Sequence, residues 1–140
     1  MHALLTAALV NAPALAALVT GADGRVRIYW QQLPSAAALP AVILHVMPSV
    51  DPDYTLKGRT NLRLYNVQAD CWAGDLASAL AVREALEAVG GPLSGLLTPP
   101  LQVFVRRRHE AWERAAGPDA NRSIDLYRAS LDLECWETVS

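Results

Sequence analysis

The chain has 140 residues and a formal net charge of −2, from 12 Lys and Arg against 14 Asp and Glu. This length suits one domain with its own core, and a nearly neutral chain has no global field that would select nucleic acid or an anionic membrane as partner. The two cysteines are too few for a disulfide framework and lack the short spacing of a zinc site, which favours a reducing compartment.

The first 22 residues contain no Lys, Arg, Asp or Glu. We predict two short helices here, residues 3–10 and 13–19, with Asn11 as the cap of the second helix and Pro13 in its first turn. A signal peptide or membrane-spanning helix is the less favoured alternative. No basic residue precedes the apolar stretch, and alanine contributes little to the free energy of membrane insertion. We interpret the segment as docking helices.

Two strands are predicted next. Residues 25–31 alternate between apolar and polar side chains, which is typical of a half-buried strand with Trp30 facing inward. Residues 41–47 are predicted to form the second strand. Residues 48–61 form a polar connection with two prolines and a glycine, and a loop of this length is usually functional or disordered.

Residues 62–72 predict a third strand that leads directly into a helix. Asp75 is the expected N-cap, and the two glycines at 90–91 are the expected C-terminal stop. The apolar residues on one face of the strand are Tyr65, Val67, Ala69 and Cys71. The apolar residues at helical spacing are Leu76, Leu80, Val82, Leu86 and Val89.

The last third of the chain predicts two more strands. Residues 101–107 form the first, residues 110–122 a polar projecting loop with a helical turn around Trp112, and residues 124–136 the closing strand. The predicted fold class is α+β: a single, mostly antiparallel sheet of four to five strands, packed by an N-terminal helix and a central helix. The order is α-β-β-β-α-β-β, and residues 1–140 are expected to form one domain.

Two predicted strands share a local pattern. Residues 67–72 (VQADCW) and 131–136 (LDLECW) both read apolar, polar, apolar, acid, Cys, Trp. Similar burial on two strands of one sheet would select the same pattern, so we predict that they are sheet partners or near neighbours. Their cysteines, Cys71 and Cys135, would then share the helix-covered face as small apolar side chains.

No catalytic or metal site is predicted from the spacing of reactive residues. Asp70 and Glu134 could form a carboxylate pair, but such a pair needs a cleft and separated pKa values, so we favour acids that are solvated or at an interface on the outer sheet face. The possible metal ligands come from different strands without a CxxC or HxxxH spacing, and we predict no metal and no cofactor. These ligands are His45, His109, Cys71 and Cys135.

The most basic run is RRRH at residues 106–109. Alternate residues of a strand point to opposite faces, which halves any basic patch, so the favoured interpretation is a strand end that meets acids of the same or another chain. The alternative is a nucleic-acid-binding or other partner-binding surface that uses residues 106–108.

Four tryptophans are many for this length. Trp72 and Trp136 fall on the polar side of their strands, which leaves two interpretations open. Either another subunit covers the outer sheet face, or the tryptophans pack against the first helix of the same chain.

Five short segments carry a resemblance to a known family: PALAALV at 13–19, RIY at 27–29, LPA at 39–41, VQADCW at 67–72 and YRASLDL at 127–133. Their order resembles that of the small tail completion, or tail terminator, proteins of long-tailed bacteriophages and related prophages. The resemblance spans nearly the whole chain, and the Gln-x-Asp-x-Trp form of the third strand is its most telling part.

The resemblance implies a non-enzymatic virion protein, assembled in the host bacterial cytoplasm, that forms a ring, commonly a hexamer, at the head-proximal end of the tail tube. The ring would stop tube polymerisation and allow head joining. Its partners would be other copies of itself, the tail tube protein and a head-completion or neck protein, with DNA passing through the lumen and no membrane involved.

Residues 48–61 and 110–121 are the segments expected to contact the tube or neck. The residues expected at a subunit or tube interface are Asp53, Tyr54, Lys57, Arg59, Trp72, Arg106, Arg107, Arg108, Trp112 and Trp136.

Overall fold

The computed structural model describes residues 1–32, 38–47, 54–55, 58–59, 62–89, 101–116 and 123–138. The helices are α1 (His2–Val10), α2 (Pro13–Val19) and α3 (Leu76–Glu87). The strands are β1 (Ile28–Trp30), β2 (Ala41–Val46), β3 (Tyr54–Thr55), β4 (Gly58–Arg59), β5 (Leu62–Ala73), β6 (Leu101–Ala116) and β7 (Ser123–Thr138). The predicted α+β class and order of elements are confirmed, and the short β3–β4 hairpin is added between the second and third predicted strands.

The main sheet has five strands in the order β1-β2-β5-β7-β6. β1 runs parallel to β2, and the other neighbours are antiparallel. The two strands with the shared sequence pattern, β5 and β7, are direct partners, with Val67 opposite Leu133. The pairing predicted from that pattern is therefore confirmed.

All three helices pack on one face of the sheet, called the inner face below. Apolar side chains from the helices and the sheet form one buried cluster there, and each buried Leu or Val contributes about 1.5–3 kcal/mol. Cys71 and Cys135 belong to this cluster, as predicted. Its fully buried members include Leu5, Leu9, Leu15, Val19, Leu44, Val82, Leu86 and Leu131.

The two N-terminal helices form largely as predicted, with one correction. Asn11 was expected to cap α2, but it closes α1; the N-cap of α2 is Ala12, which makes no side-chain capping hydrogen bond, and Pro13 begins the helix. Among the described residues no single helix has the length and hydropathy to cross a bilayer, although α1 and α2, which meet at 84°, would meet those criteria if taken together.

The start of α3 follows the sequence closely. The Asp75 carboxylate accepts hydrogen bonds from the Ser78 backbone N–H and hydroxyl, both at 2.8 Å, which satisfies one of the free donors of the first turn. Leu76, predicted on the buried side, is exposed because the first turn lies at the end of the sheet, beyond the core. The helix ends at Glu87, and the predicted glycine stop at 90–91 lies outside the described residues.

β6 is the main correction to the predicted elements. The loop and helical turn predicted for residues 110–122 are wrong for the part described, because the strand continues to Ala116 and pairs with β7 throughout. A β-bulge between Val105 and Arg107 adds one residue to β6. As a result Val103 and Trp112, which differ in parity, both pair with inner-face residues of β7.

The β6–β7 hairpin extends past the rest of the sheet. The last residue of β5, Ala73, pairs with Tyr127, and Tyr127 pairs on its other side with Trp112. From that row onward, two strands continue among the described residues. Residues 112–116 and 123–127 are called the arm below.

Candidate assembly surface

The sheet face opposite the helices, called the outer face below, has a buried carboxylate at its centre. The Asp70 side chain is 4% exposed and accepts hydrogen bonds from the Ser130 hydroxyl at 2.6 Å and the Gln68 amide at 2.8 Å. His45 Nε2 lies 3.1 Å from its other oxygen. A buried carboxylate requires such partners, so the solvated interpretation of Asp70 is wrong.

This network does not have the geometry of a hydrolase site. His45 and Ser130 lie on β2 and β7, on either side of the strand that carries Asp70, so the carboxylate stands between the hydroxyl and the imidazole. A catalytic base has to contact the nucleophile itself. The arrangement instead links three neighbouring strands through their side chains.

The carboxylate pair, which was the less favoured alternative, does not form. Asp70 is opposite Ser130, whereas Glu134 is opposite Asn66, four residues further along β5. At about 3.3 Å per residue this separates the two positions by about 13 Å.

The first two arginines of the basic run meet acids on the neighbouring strand. Arg106 Nη1 lies 3.0 Å from Glu134 Oε1, and Arg107 Nε lies 3.2 Å from Asp132 Oδ2. His109 Nε2 lies 3.1 Å from the other oxygen of Asp132. The prediction that this strand end meets acids is confirmed, and the acids belong to the same chain.

The third arginine lies on the other side of the sheet because of the bulge. Arg108 is opposite Leu131 on the inner face, and its guanidinium pairs with Glu87 at the end of α3. One turn earlier in that helix, Arg83 Nη1 lies 2.5 Å from Glu110 Oε1. These pairs join α3 to the edge strand.

The tryptophans divide between the two faces. Trp30 faces α1: its indole N–H donates to Thr6 Oγ1 at 2.8 Å, and its ring centroid lies 4.3 Å from that of His2. Trp72 and Trp136 are half-buried on the outer face, away from α1, so packing against that helix does not explain them. The Arg128 guanidinium stacks 5.7 Å from the Trp72 ring centroid.

Among the described residues, Trp112 is the most exposed of the large apolar side chains, at 56%. It lies at the base of the arm, where the Arg114 guanidinium is 6.0 Å from its ring centroid. Arg114 in turn pairs with Asp125 across the arm, with Nε 3.2 Å from Oδ1. The arm therefore presents an aromatic side chain that the described part of the chain leaves largely uncovered.

The outer face also carries a depression of about 460 Å³ near the end of β2. Met47, which is 44% exposed, gives it an apolar wall, and exposed Phe104 lies nearby on the same face. The residues that line the depression are Met47, Asn66, Val67, Gln68, Arg106, Arg107, Asp132 and Leu133.

The residues predicted at an interface are dispersed over several places. Tyr54 pairs with Arg59 in the β3–β4 hairpin, while Asp53 and Lys57 lie outside the described residues. Trp72 and Trp136 lie at opposite ends of the outer face, the arginines lie around the bulge, and Trp112 lies on the arm.

Sequence reasoning missed two parts of this surface. Asp70 with its partners could not be recognised from local spacing, because His45 and Ser130 come from distant parts of the chain. The outer-face position of Met47 and Phe104 could have been predicted from strand alternation. Phe104, for example, follows the inward-facing Val103.

Cys71 and Cys135 lie on the inner face of the sheet, whereas His45 and His109 lie on the outer face. Burial raises the pKa of both thiols to about 12, so Cys71 and Cys135 remain protonated and unreactive. Within the described ranges, no group of three or more His, Cys, Asp or Glu side chains could hold a metal ion.

The comparison with known protein families shows to which family this chain belongs. The family described as tail completion protein gp17 matches residues 3–138. The chain belongs to the tail completion protein gp17 family. It is thus a structural protein of phage tails, and the resemblance found in the five sequence segments is confirmed.

A solved structure gives the same fold. A chain of the "Virion of native gene transfer agent (GTA) particle" is similar to this tail completion protein with a TM-score of 0.54 and 18% identity. The match covers 96% of this chain and 91% of the virion chain. No curated protein matches the chain in sequence.

Proposed function

We propose that this tail completion protein acts as one tail-terminator-like domain that caps the head-proximal end of the tail tube as an oligomeric ring, with a hexamer as the expected form. The ring ends tube polymerisation and offers a surface for head joining. Its partners are copies of itself, the tube protein and a head-completion or neck protein, and DNA passes through its lumen. The observation that carries the proposal is the family match over residues 3–138.

The sheet edge supports a role in assembly. In the described part of the chain, the 16-residue strand β6 has a neighbouring strand on one side only. An unpaired edge of this length is a template for contact with another chain, and a closed ring covers it without open-ended growth. The bulge and the arginines in β6 are features that restrict uncontrolled strand pairing.

The charge pairing argues against the nucleic-acid alternative. Each of Arg106, Arg107 and Arg108 meets a carboxylate of its own chain. Nonspecific binding to nucleic acid needs a net positive surface, and these three guanidinium groups with their three carboxylates carry no net charge.

The test is electron microscopy of particles produced without the gene. We expect tails of uncontrolled length, or tails that do not join heads, and we expect the wild-type gene supplied in trans to restore normal particles. Particles with tails of normal length joined to heads in the absence of the protein would overturn the proposal.

The contacts with tube and neck are assigned to residues 48–61 and to residues 117–121, the part of the 110–121 segment that follows β6 in the sequence. Replacing each segment by a short Gly/Ser linker should disturb tail length or head joining while the sheet still folds. Circular dichroism checks the fold, and unchanged tails from both replacements would reject the assignment.

A further inference from the structure

We propose that Trp112 on the arm of one copy docks into the outer-face depression of the next copy. The proposal rests on the proposed function, because it specifies the contact that would join neighbouring subunits of the ring. The occupant of the depression is a second copy of this chain.

The arm has the properties of a docking element. Two strands without a third are marginally stable in water, so the arm gains most when another surface covers it. Trp112 is 56% exposed there, and tryptophan is enriched among residues that dominate the binding energy of protein interfaces.

The depression has the size and chemistry to receive an indole. Its volume of about 460 Å³ falls in the lower part of the range of ligand-sized pockets. Met47 supplies apolar surface, and the guanidinium groups of Arg106 and Arg107 stand at its rim with exposures of 61% and 69%. An indole ring placed beneath such a guanidinium gains a cation–π contact.

One charge on the arm has a suitable partner at the depression. The depression is lined by two guanidinium groups and the carboxylate of Asp132, and Arg106 also pairs with Glu134, but both guanidinium groups remain more than half exposed and can pair with a further carboxylate. The arm carries two carboxylates, Glu113 and Asp125, against the single guanidinium of Arg114. Glu113 has no basic partner among the described residues and is the first candidate to meet Arg106 or Arg107 of the next copy.

The two surfaces cannot meet within one chain. Trp112 is on the inner-face side of the sheet, whereas the polar lining of the depression is on the outer face. In addition, Tyr127, the partner of Trp112, is five residues from Asp132, or about 17 Å along β7. Two different patches that fit each other but lie on opposite faces give a head-to-tail contact, which closes into a ring when the rotation allows.

A pair of cysteines tests the contact directly. Glu113→Cys and Asn66→Cys, which leave Trp112 and Met47 in place, are introduced together, and particles and concentrated purified protein are treated with a short thiol-reactive crosslinker. We expect a ladder of multimers that ends at the closed ring, because each copy links to the next. The native thiols do not interfere, since Cys71 and Cys135 are buried.

Each single-cysteine variant is the matched control and should give no ladder, because position 113 of one copy lies near position 66 of another and not near its own equivalent. A second measurement uses Trp112→Ala, which should weaken self-association by about tenfold or more with an unchanged melting temperature. Glu113→Arg should weaken self-association as well, and adding Arg107→Glu should restore part of it.

The outcomes separate this inference from the proposed function. Folded double-cysteine protein that gives no ladder in particles or in solution overturns the inference, as does a crosslink to the tube protein in place of a second copy. In both cases normal capping of tails would leave the proposed function intact. Loss of the proposed function would appear instead as normal tails in particles made without the gene.

Discussion

The two faces of the sheet are built by the same strands, yet different interactions hold them in place. On the inner face Leu131 and Leu133 are buried among apolar side chains from all three helices. One residue along the same strand, Ser130 is buried on the outer face because its hydroxyl donates to Asp70. The inner face is stabilised by apolar side chains that fill the space between sheet and helices. The outer face is stabilised by hydrogen bonds in which each buried polar group has a partner.

This difference predicts different responses to substitution. A truncated inner residue leaves a cavity, and its cost follows the lost volume. A truncated outer residue leaves donors without an acceptor, and its cost follows the number of groups left unsatisfied. Four experiments examine this contrast, from the largest expected effect to the smallest.

Leu131→Ala should reduce the free energy of unfolding by about 2–5 kcal/mol, because it opens a cavity in the buried cluster. Urea unfolding with an unchanged m-value measures the loss. Leu18→Ala is the matched control, since Leu18 is 37% exposed on α2 and should lose much less. Equal losses in the two variants would contradict the assignment of the inner face as the core.

Asp70→Ala should reduce the free energy of unfolding by about 1–3 kcal/mol, because Ser130 and Gln68 lose their buried acceptor. Asp132→Ala is the control: this carboxylate lies on the same face but is 33% exposed, so water replaces it as a partner. A loss at Asp70 no greater than at Asp132 would show that the buried network is not a main support of the outer face.

The thiols of Cys71 and Cys135 should destabilise the fold at alkaline pH. Burial raises both pKa values to about 12 from 9.0, so between these values the unfolded chain has released protons that the folded chain retains. The stability of the fold therefore falls as pH rises from about 9 towards about 12. The variant with both cysteines replaced by alanine should show a shallower fall in the same range, and parallel curves would contradict the assignment.

Arg107→Gln should change the free energy of unfolding by at most about 1 kcal/mol, because its guanidinium is 69% exposed and its ion pair is screened by solvent. Thermal unfolding at low and high salt measures the effect, which should shrink as salt increases. A loss comparable to that of Asp70→Ala would mean that the ion pair supports the fold itself.

The strand pairing and the inner face could be predicted from sequence because both follow from regular alternation. The shared pattern of residues 67–72 and 131–136 identified β5 and β7 as partners, and their cysteines faced the helices as expected. Asp75 was also recognisable, since a cap acts through residues three positions away.

The rest depended on long-range contacts or on broken alternation. Asp70 is buried by residues that the sequence places 25 and 60 positions away, His45 and Ser130, so its surroundings were not visible locally. The continuation of β6 could not be predicted from an alternation of apolar and polar residues. Beyond Arg108, which pairs with Glu87, the strand enters the arm, and few of its side chains face the core.

The bulge in β6 also determines how the chain tolerates the loss of single residues. Deleting Arg106 would remove only the extra position and leave the later pairs, and the sides of Trp112 and Glu113, as they are. Deleting one residue between 107 and 112 while the bulge stays would make Trp112 and Glu113 exchange sides. Deleting one residue in the 117–122 connection leaves that orientation unchanged. Natural length variation of one residue in relatives should therefore occur at the position of Arg106 and between residues 117 and 122, and avoid residues 107–112.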